Sequence, residues 1–117
     1  MRHELIIAGF GGQGVILAGM IIAWSATMEN KEVIWSPSYG PEMRGGPSHC
    51  TVSVADEPIG SPIVASPDSE IIMDEPSLGR FAPRLKSGGL LLINSSLVRS
   101  EPGRDDIRRI ALPANRI

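Results

Sequence analysis

Cysteine is almost absent from this sequence, because Cys50 is its single thiol in 117 residues. One thiol excludes an internal disulfide, a cysteine-based zinc site, and an iron–sulfur cluster held by this chain alone, which needs about four thiolates. The two histidines, His3 and His49, are distant in sequence and have no i, i+4 partner, so we expect no metal site. With no secretory signal in the sequence, we expect a protein of the reducing cytoplasm.

Aromatic residues and net charge are also scarce. Aromatics make up 4% of the chain and the formal net charge is −2, so we expect neither a base-stacking surface nor a basic patch for nucleic acid or membrane. The longest apolar stretch, Val15–Met28, is interrupted by polar residues and is shorter than the ~20 residues of a membrane span. The remaining balance, 42% hydrophobic and 21% charged, is typical of one globular domain over residues 1–117.

Short apolar segments alternate with helix and turn signals along the chain. Strands are predicted at residues 4–8, 32–35, 49–54, 70–73, 90–93 and 110–112. A buried helix is predicted at Val15–Met28, and a second one from an acidic cap at Asp74 to about residue 86. This alternation predicts an α/β fold with an open, largely parallel, Rossmann-like sheet and flanking helices.

Several candidate ligand-binding segments each follow a predicted strand. They are the glycine turn at 9–14, the loop at 36–46, Asp74 and residues 94–96. Ligands of open α/β sheets bind outside the carboxyl ends of the strands. We therefore expect these segments to lie together at one edge of the domain.

Gly9, Gly11 and Gly14 satisfy the pattern G-x-G-x-x-G between a predicted strand and a predicted helix. Glycines permit a tight turn, and the helix N-terminus offers N–H groups to a phosphate. The same glycines are also expected if they only let the helix pack closely on the strand, and both interpretations stay open. The acid that NAD binding requires at the end of the second strand is missing, which weakens a dinucleotide site and leaves a phosphate site.

A second unusual segment, Ser-Tyr-Gly-Pro-Glu-Met-Arg-Gly-Gly, occupies residues 38–46. Tyr39 can stack and hydrogen-bond, and Arg44 can bind a carboxylate or phosphate through two hydrogen bonds. Gly45 and Gly46 let a ligand or a backbone approach closely. The alternative is a solvated surface loop in which Glu42 pairs with Arg44 at little gain in stability.

Four segments occur in a characteristic order: Gly-Phe-Gly-Gly-Gln-Gly-Val at 9–15, the segment at 38–46, Pro-Ile-Gly-Ser-Pro at 58–62, and residues 88–96 from Gly-Gly to Asn-Ser-Ser. Over nearly its whole length the chain thereby resembles the gamma subunit of 2-oxoacid:ferredoxin oxidoreductases. It is most similar to the 2-oxoglutarate type, with the pyruvate, ketoisovalerate and indolepyruvate types as near relatives.

The resemblance implies a reaction and a set of partners. A 2-oxoacid, here 2-oxoglutarate, would be decarboxylated on thiamine diphosphate, its electrons would pass through [4Fe–4S] clusters to ferredoxin, and the acyl group would go to coenzyme A. Thiamine diphosphate, magnesium and the clusters would belong to the alpha and beta subunits, with or without a delta subunit. Ferredoxin would dock on those partners, and the isolated chain would be inactive.

The resemblance also assigns candidate residues to a shared coenzyme A site, with no catalytic residue in this chain. They are Gly9, Gly11, Gly12, Gln13, Gly14, Tyr39, Arg44, Gly45, Gly46 and Asn94. Asp74 and Glu75 stand where amides are expected, which places negative charge beside an anionic ligand. Since gamma domains of this family are longer, we expect the C-terminal part to be missing here.

Two other functions are compatible with the same residues. A non-catalytic assembly module would use the glycine turns only for subunit packing and would not bind coenzyme A. A free-standing NAD(P)-binding oxidoreductase would need an acid or a basic pocket after Trp35, which the sequence does not show.

Overall fold

The computed structural model describes residues 1–10, 14–39 and 47–116, apart from the side chain of Tyr39. Within these residues six strands form one sheet in the order β2-β3-β1-β4-β5-β6. The strands are β1 (Arg2–Phe10), β2 (Glu32–Tyr39), β3 (Pro47–Ala55), β4 (Ser69–Ile72), β5 (Leu90–Asn94) and β6 (Arg108–Leu112). The helices are α1 (Val15–Met28) and α2 (Glu75–Phe81), with 3₁₀ turns at Ala82–Arg84 and Ala114–Arg116.

The sheet is mixed because one strand runs against the other five. β1, β4, β5 and β6 pair in parallel, whereas β3 is antiparallel to both of its neighbours, β1 and β2. β3 pairs with β2, which precedes it in the chain, on one side and with β1 on the other, so it lies between them. The predicted α/β class and the common direction of most strands are confirmed, with β3 as the exception.

Element ends differ from prediction at two places. Residues 36–39, predicted as a loop, continue β2 because their backbone pairs with β3 as far as Tyr39 opposite Ser48. The second helix ends at Phe81, short of residue 86, and continues as a single 3₁₀ turn. Pro83 explains the early end, since it has no N–H to continue the α-helical ladder. The predicted start is confirmed, because Asp74 Oδ1 accepts a hydrogen bond from Ser77 N at 3.1 Å.

Each face of the sheet carries its own hydrophobic core. α1 covers one face, where Leu5, Ile7 and Val52 are buried. α2 and its 3₁₀ extension cover the other face, where Phe81 and Leu91 are buried. The alternate side chains of β1 and β4 divide between the two cores, as the period of a strand requires. The result is a three-layer α/β/α arrangement.

Close contact between α1 and the sheet depends on Gly19. A Cβ atom at Gly19 would collide with Cys50 Sγ and would lie 3.0 Å from Trp35 Nε1. Cys50 itself is buried, and its thiol donates to Val15 O at 3.5 Å. Burial raises the pKa of the Cys50 thiol, so this cysteine behaves as the small buried hydrophobe that its place in β3 predicts. Among the residues described, no helix combines the length and the apolar character needed to cross a membrane.

Candidate functional site

One edge of the sheet gathers the strand ends that the sequence marks as candidate ligand-binding positions. β1, β2, β4 and β5 all end at this carboxyl edge, and β3 begins there, with Phe10 paired to Pro47 and Tyr39 to Ser48. Asp74 follows β4 and Asn94 closes β5 at the same edge. The described ends of both glycine-containing segments therefore lie where an open α/β sheet binds its ligands.

An open cleft of about 460 Å³ lies at this edge, between the ends of β1 and β3 and helix α2. Its apolar wall includes Phe10, Phe81 and Leu97, and its polar groups are Ser48, Asp74, Ser77 and Arg80. A largely apolar wall with a few polar groups at its rim is the usual composition of a small-molecule site.

Arg80 provides the positive charge of the cleft. Its guanidinium lies 4.8 Å from the centre of the Phe81 ring, and Arg84 lies 5.2 Å from the same ring. The His49 ring also packs on Phe81, at 5.0 Å between centres. Burial lowers the pKa of His49, and the cations of Arg80 and Arg84 lower it further, so this imidazole is neutral at pH 7. Arginine is therefore the charged donor on this side of the cleft.

The two carboxylates next to the cleft are occupied by backbone N–H groups. Asp74 caps α2 through Ser77 N, and Glu75 Oε1 accepts from Arg99 N and, at 2.7 Å, from Ser100 N. These hydrogen bonds lower the pKa of Glu75. The negative charge expected beside the site is thus present, and it is used to hold α2 and the loop after β5 in place.

The glycine turn is described at its two ends. Gly9 lies within β1, paired with Ser48, and Gly14 begins α1 with a φ of 76°. Residues other than glycine rarely adopt this left-handed backbone conformation, so the chain needs glycine at position 14 to enter α1. Gly11, Gly12 and Gln13 lie outside the described residues, and their assignment to a ligand site stays a prediction.

Asn94 is buried at the end of β5 and its side chain organises the surrounding loops. Its amide nitrogen donates to Asn115 Oδ1 at 3.0 Å, and its oxygen accepts from Ser96 N at 3.1 Å and Ala114 N at 3.0 Å. These bonds join the loop after β5 to the turn after β6. A contact between Asn94 and coenzyme A stays a prediction, and it would have to use the remaining amide hydrogen.

The second segment is described only at its ends. Tyr39 ends β2 and Pro47 begins β3, and both lie at the same edge of the sheet as the cleft. Arg44, Gly45 and Gly46 lie outside the described residues, and their predicted role is not tested. Arg80 and the aromatic wall of the cleft were not predicted from the sequence. The predicted start of α2 at this edge was a signal that side chains of α2 could reach a ligand.

The fold and this cleft define a Rossmann-like α/β domain with an open cleft at the carboxyl edge of its sheet. The chain belongs to the pyruvate ferredoxin/flavodoxin oxidoreductase family, which it matches over residues 4–117. This match, the 2-oxoglutarate synthase relative and a solved gamma subunit together confirm the resemblance to gamma subunits of 2-oxoacid:ferredoxin oxidoreductases.

Two curated relatives differ in name and in length. The ketoisovalerate oxidoreductase subunit VorA of Methanothermobacter thermautotrophicus is 42% identical over 92% of this chain and 22% of its own. The 2-oxoglutarate synthase subunit KorC of Methanocaldococcus jannaschii is 39% identical over 100% of this chain and 64% of its own. The chain thus spans less than two thirds of either relative.

Two solved structures have the same fold as this chain. The gamma subunit of a keto/oxoacid ferredoxin oxidoreductase from Geobacter sulfurreducens superposes with a TM-score of 0.81 at 35% identity, over 95% of this chain and 60% of its own. A 2-oxoglutarate:ferredoxin oxidoreductase from Magnetococcus marinus shares the fold, with a TM-score of 0.87 at 19% identity over 98% of this chain and 20% of its own.

Proposed function

We propose that this chain is the gamma part of a 2-oxoacid:ferredoxin oxidoreductase in the cytoplasm and helps to hold coenzyme A at the carboxyl edge of its sheet. The observation that carries the proposal is the cleft at this edge, lined by Arg80 and Phe10 and adjoining the start of β3, where the segment at 38–46 ends. Coenzyme A suits such a cleft because arginine binds phosphate through charge-assisted hydrogen bonds and an aromatic ring packs against adenine.

The substrate in this proposal is 2-oxoglutarate, oxidatively decarboxylated to an acyl-coenzyme A with reduction of ferredoxin. It is supported by the KorC relative, which is matched along the whole of this chain. Ketoisovalerate is the second candidate, because the VorA relative is equally similar. Thiamine diphosphate, magnesium and [4Fe–4S] clusters are assigned to the alpha and beta subunits, with or without a delta subunit, and the isolated chain is expected to be inactive.

The coenzyme A site is tested by kinetics of the assembled enzyme carrying Arg44→Ala or Arg80→Ala in this chain. Each change should raise the KM for coenzyme A by about 10-fold or more, since a hydrogen bond to a charged group contributes about 1.5–3 kcal/mol. The KM for 2-oxoglutarate should change less than about twofold, because the oxoacid is bound by partner subunits in this proposal.

Arg2→Ala is the matched control for these variants. It removes the same charge from the opposite edge of the sheet, where β1 begins, so both Michaelis constants should stay as in the wild type. If Arg44→Ala and Arg80→Ala assemble normally and leave the KM for coenzyme A unchanged, the coenzyme A role is wrong. The chain would then act as an assembly module.

A further inference from the structure

Helix α1 carries an apolar stripe on its outer face, away from the sheet. The stripe consists of Leu17, Ile21, Trp24 and Met28, which are 53%, 56%, 65% and 79% exposed. Their spacing of four, three and four residues places them along one side of a helix. A helix that covers a sheet in a separate domain normally has polar side chains on this side.

The polar residues beside the stripe add little polarity to it. Ser25 Oγ donates to Ile21 O at 2.8 Å, and Thr27 Oγ1 donates to Ala23 O at 2.9 Å, so both hydroxyls bond within the helix. The sequence has no charged residue anywhere in Val15–Met28. The outer face of α1 therefore fits a partner surface that is itself apolar and uncharged, because a buried charge without a counter-ion is costly.

The stripe is too small to hold two copies of this chain together by itself. A helix of this length is about 21 Å long and about 10 Å wide, which gives a face of a few hundred Å² at most. A stable interface usually buries about 800 Å² on each partner. The stripe therefore suits a larger partner that also contacts neighbouring parts of the domain.

The VorA relative indicates what kind of partner would cover the stripe. The matched part of VorA, 42% identical to this chain, is 22% of that subunit, so a domain like this one is covalently joined to a much longer polypeptide. Fusion gives two domains a high effective concentration for each other. Domains that are fused in one protein and separate in another are expected to keep the same contact.

We propose that the stripe of α1 docks on an apolar surface of the larger subunit of the oxidoreductase, the counterpart of the polypeptide to which the domain is fused in VorA. The inference rests on the proposed function, since it names the surface through which the gamma part joins its complex. The stripe would lie in the centre of that interface and the charged residues after α1 at its rim.

The test is co-purification of partner subunits with the tagged full chain from its native cells. Ile21→Glu and Trp24→Glu should each lower the recovery of the thiamine diphosphate- and iron-containing partner at least tenfold. Ile63→Glu is the matched control, because Ile63 is 75% exposed but lies outside α1, and its recovery should equal that of the wild type. The urea midpoint of each isolated variant establishes that it is folded.

Hydrogen exchange gives a second measurement that needs no variant. The outer-face amides of α1 should exchange more slowly in the wild-type complex than in the isolated chain. Equal recovery by all variants together with unchanged exchange would overturn the docking surface and leave the proposed function standing. If the wild type recovers no such partner, the proposed function fails as well, and a concentration-dependent dimer abolished by Trp24→Glu would make a second copy the occupant.

Discussion

Gly19 sits where α1 comes closest to the sheet. The sequence offered the glycine turn at 9–14 as a candidate for close helix–sheet packing. The structure shows a close approach of this kind at Gly19 in α1, against Cys50 and Trp35. At the residue scale, Gly19 is a glycine whose missing side chain allows close helix–sheet packing, and the packing interpretation of the glycine turn stays open.

We predict that Gly19→Ala destabilises the chain by about 1–3 kcal/mol, the usual cost of overpacking a tight core. Gly79→Ala is the matched control, since a Cβ at this position of α2 meets nothing within 4 Å. Alanine should stabilise α2 there by up to about 1 kcal/mol. Urea unfolding followed by circular dichroism measures both, and a Gly19→Ala protein as stable as the wild type would show that α1 is not closely packed.

At the scale of elements, Arg104 joins the loop before β6 to the end of α2. Its Nη1 donates to Ala82 O at 2.9 Å and Leu85 O at 2.6 Å, and its Nε and Nη2 bind both oxygens of Asp106. The guanidinium therefore gives Leu85 O a donor and adds a second donor to Ala82 O, which also accepts from Leu85 N at 3.2 Å. The Arg104 side chain is only 21% exposed, whereas Arg108 nearby is exposed.

Replacing Arg104 should loosen this connection. Arg104→Met should lower the free energy of unfolding by about 1–3 kcal/mol, because the Leu85 carbonyl and the Asp106 carboxylate lose the hydrogen bonds that Arg104 donates. Arg104→Lys should recover only part of the loss, since an ammonium group cannot reproduce the planar set of donors. Arg108→Met, on the exposed strand β6, is the control and should cost less than about 0.5 kcal/mol in the same urea titration.

The predicted strands and helices were confirmed where the local sequence pattern determines them. Apolar runs identified every strand of the sheet, and Asp74 and Pro76 marked the start of α2. The place of β3 between β1 and β2 could not be predicted, because strand order depends on contacts distant in sequence. The end of α2 could have been predicted from Pro83, since the preceding residues keep a helical pattern that only the proline interrupts.

For the whole molecule, the edge of the sheet at which the cleft opens was predictable from the sequence, and the composition of the cleft was not. A general rule of α/β sheets places strand ends and their loops together, and the described ends of both segments follow it. Arg80 reaches the cleft only because α2 is short and packs Phe81 into the core, which is a property of the assembled domain. The candidate residues of the two loops stay predictions for the assembled enzyme.

Glu70 is a buried carboxyl group whose protonation affects the stability of the whole domain. It lies in the central strand β4 between Ile6 and Leu91, fully buried, and both its carboxylate oxygens lack a hydrogen-bond partner among the described residues. Burial raises the pKa of Glu70 from 4.5 to about 8, although the nearby cations of Arg104 and Arg84 lower it in part. At neutral pH the folded chain therefore holds a proton that the unfolded chain releases.

The proton on Glu70 determines whether the free energy of unfolding rises or falls with pH. Between pH 4.5 and about 8 the folded state binds one proton more at Glu70 than the unfolded state, so stability falls as pH rises. The loss approaches about 1.4 kcal/mol per pH unit within that window and stops above it. His49 contributes with the opposite sign, because its lowered pKa makes the unfolded state the better proton acceptor.

Glu70→Leu should remove this loss and leave the contribution of His49 in place. The difference in unfolding free energy between variant and wild type, from urea titrations at pH 5, 6, 7 and 8, should therefore grow in favour of the variant by about 1 kcal/mol per pH unit. Glu57→Leu, on an exposed loop, is the control and should give a constant difference. A constant difference for Glu70→Leu as well would mean that Glu70 is ionised in the folded chain, with the Arg104 and Arg84 cations outweighing its burial.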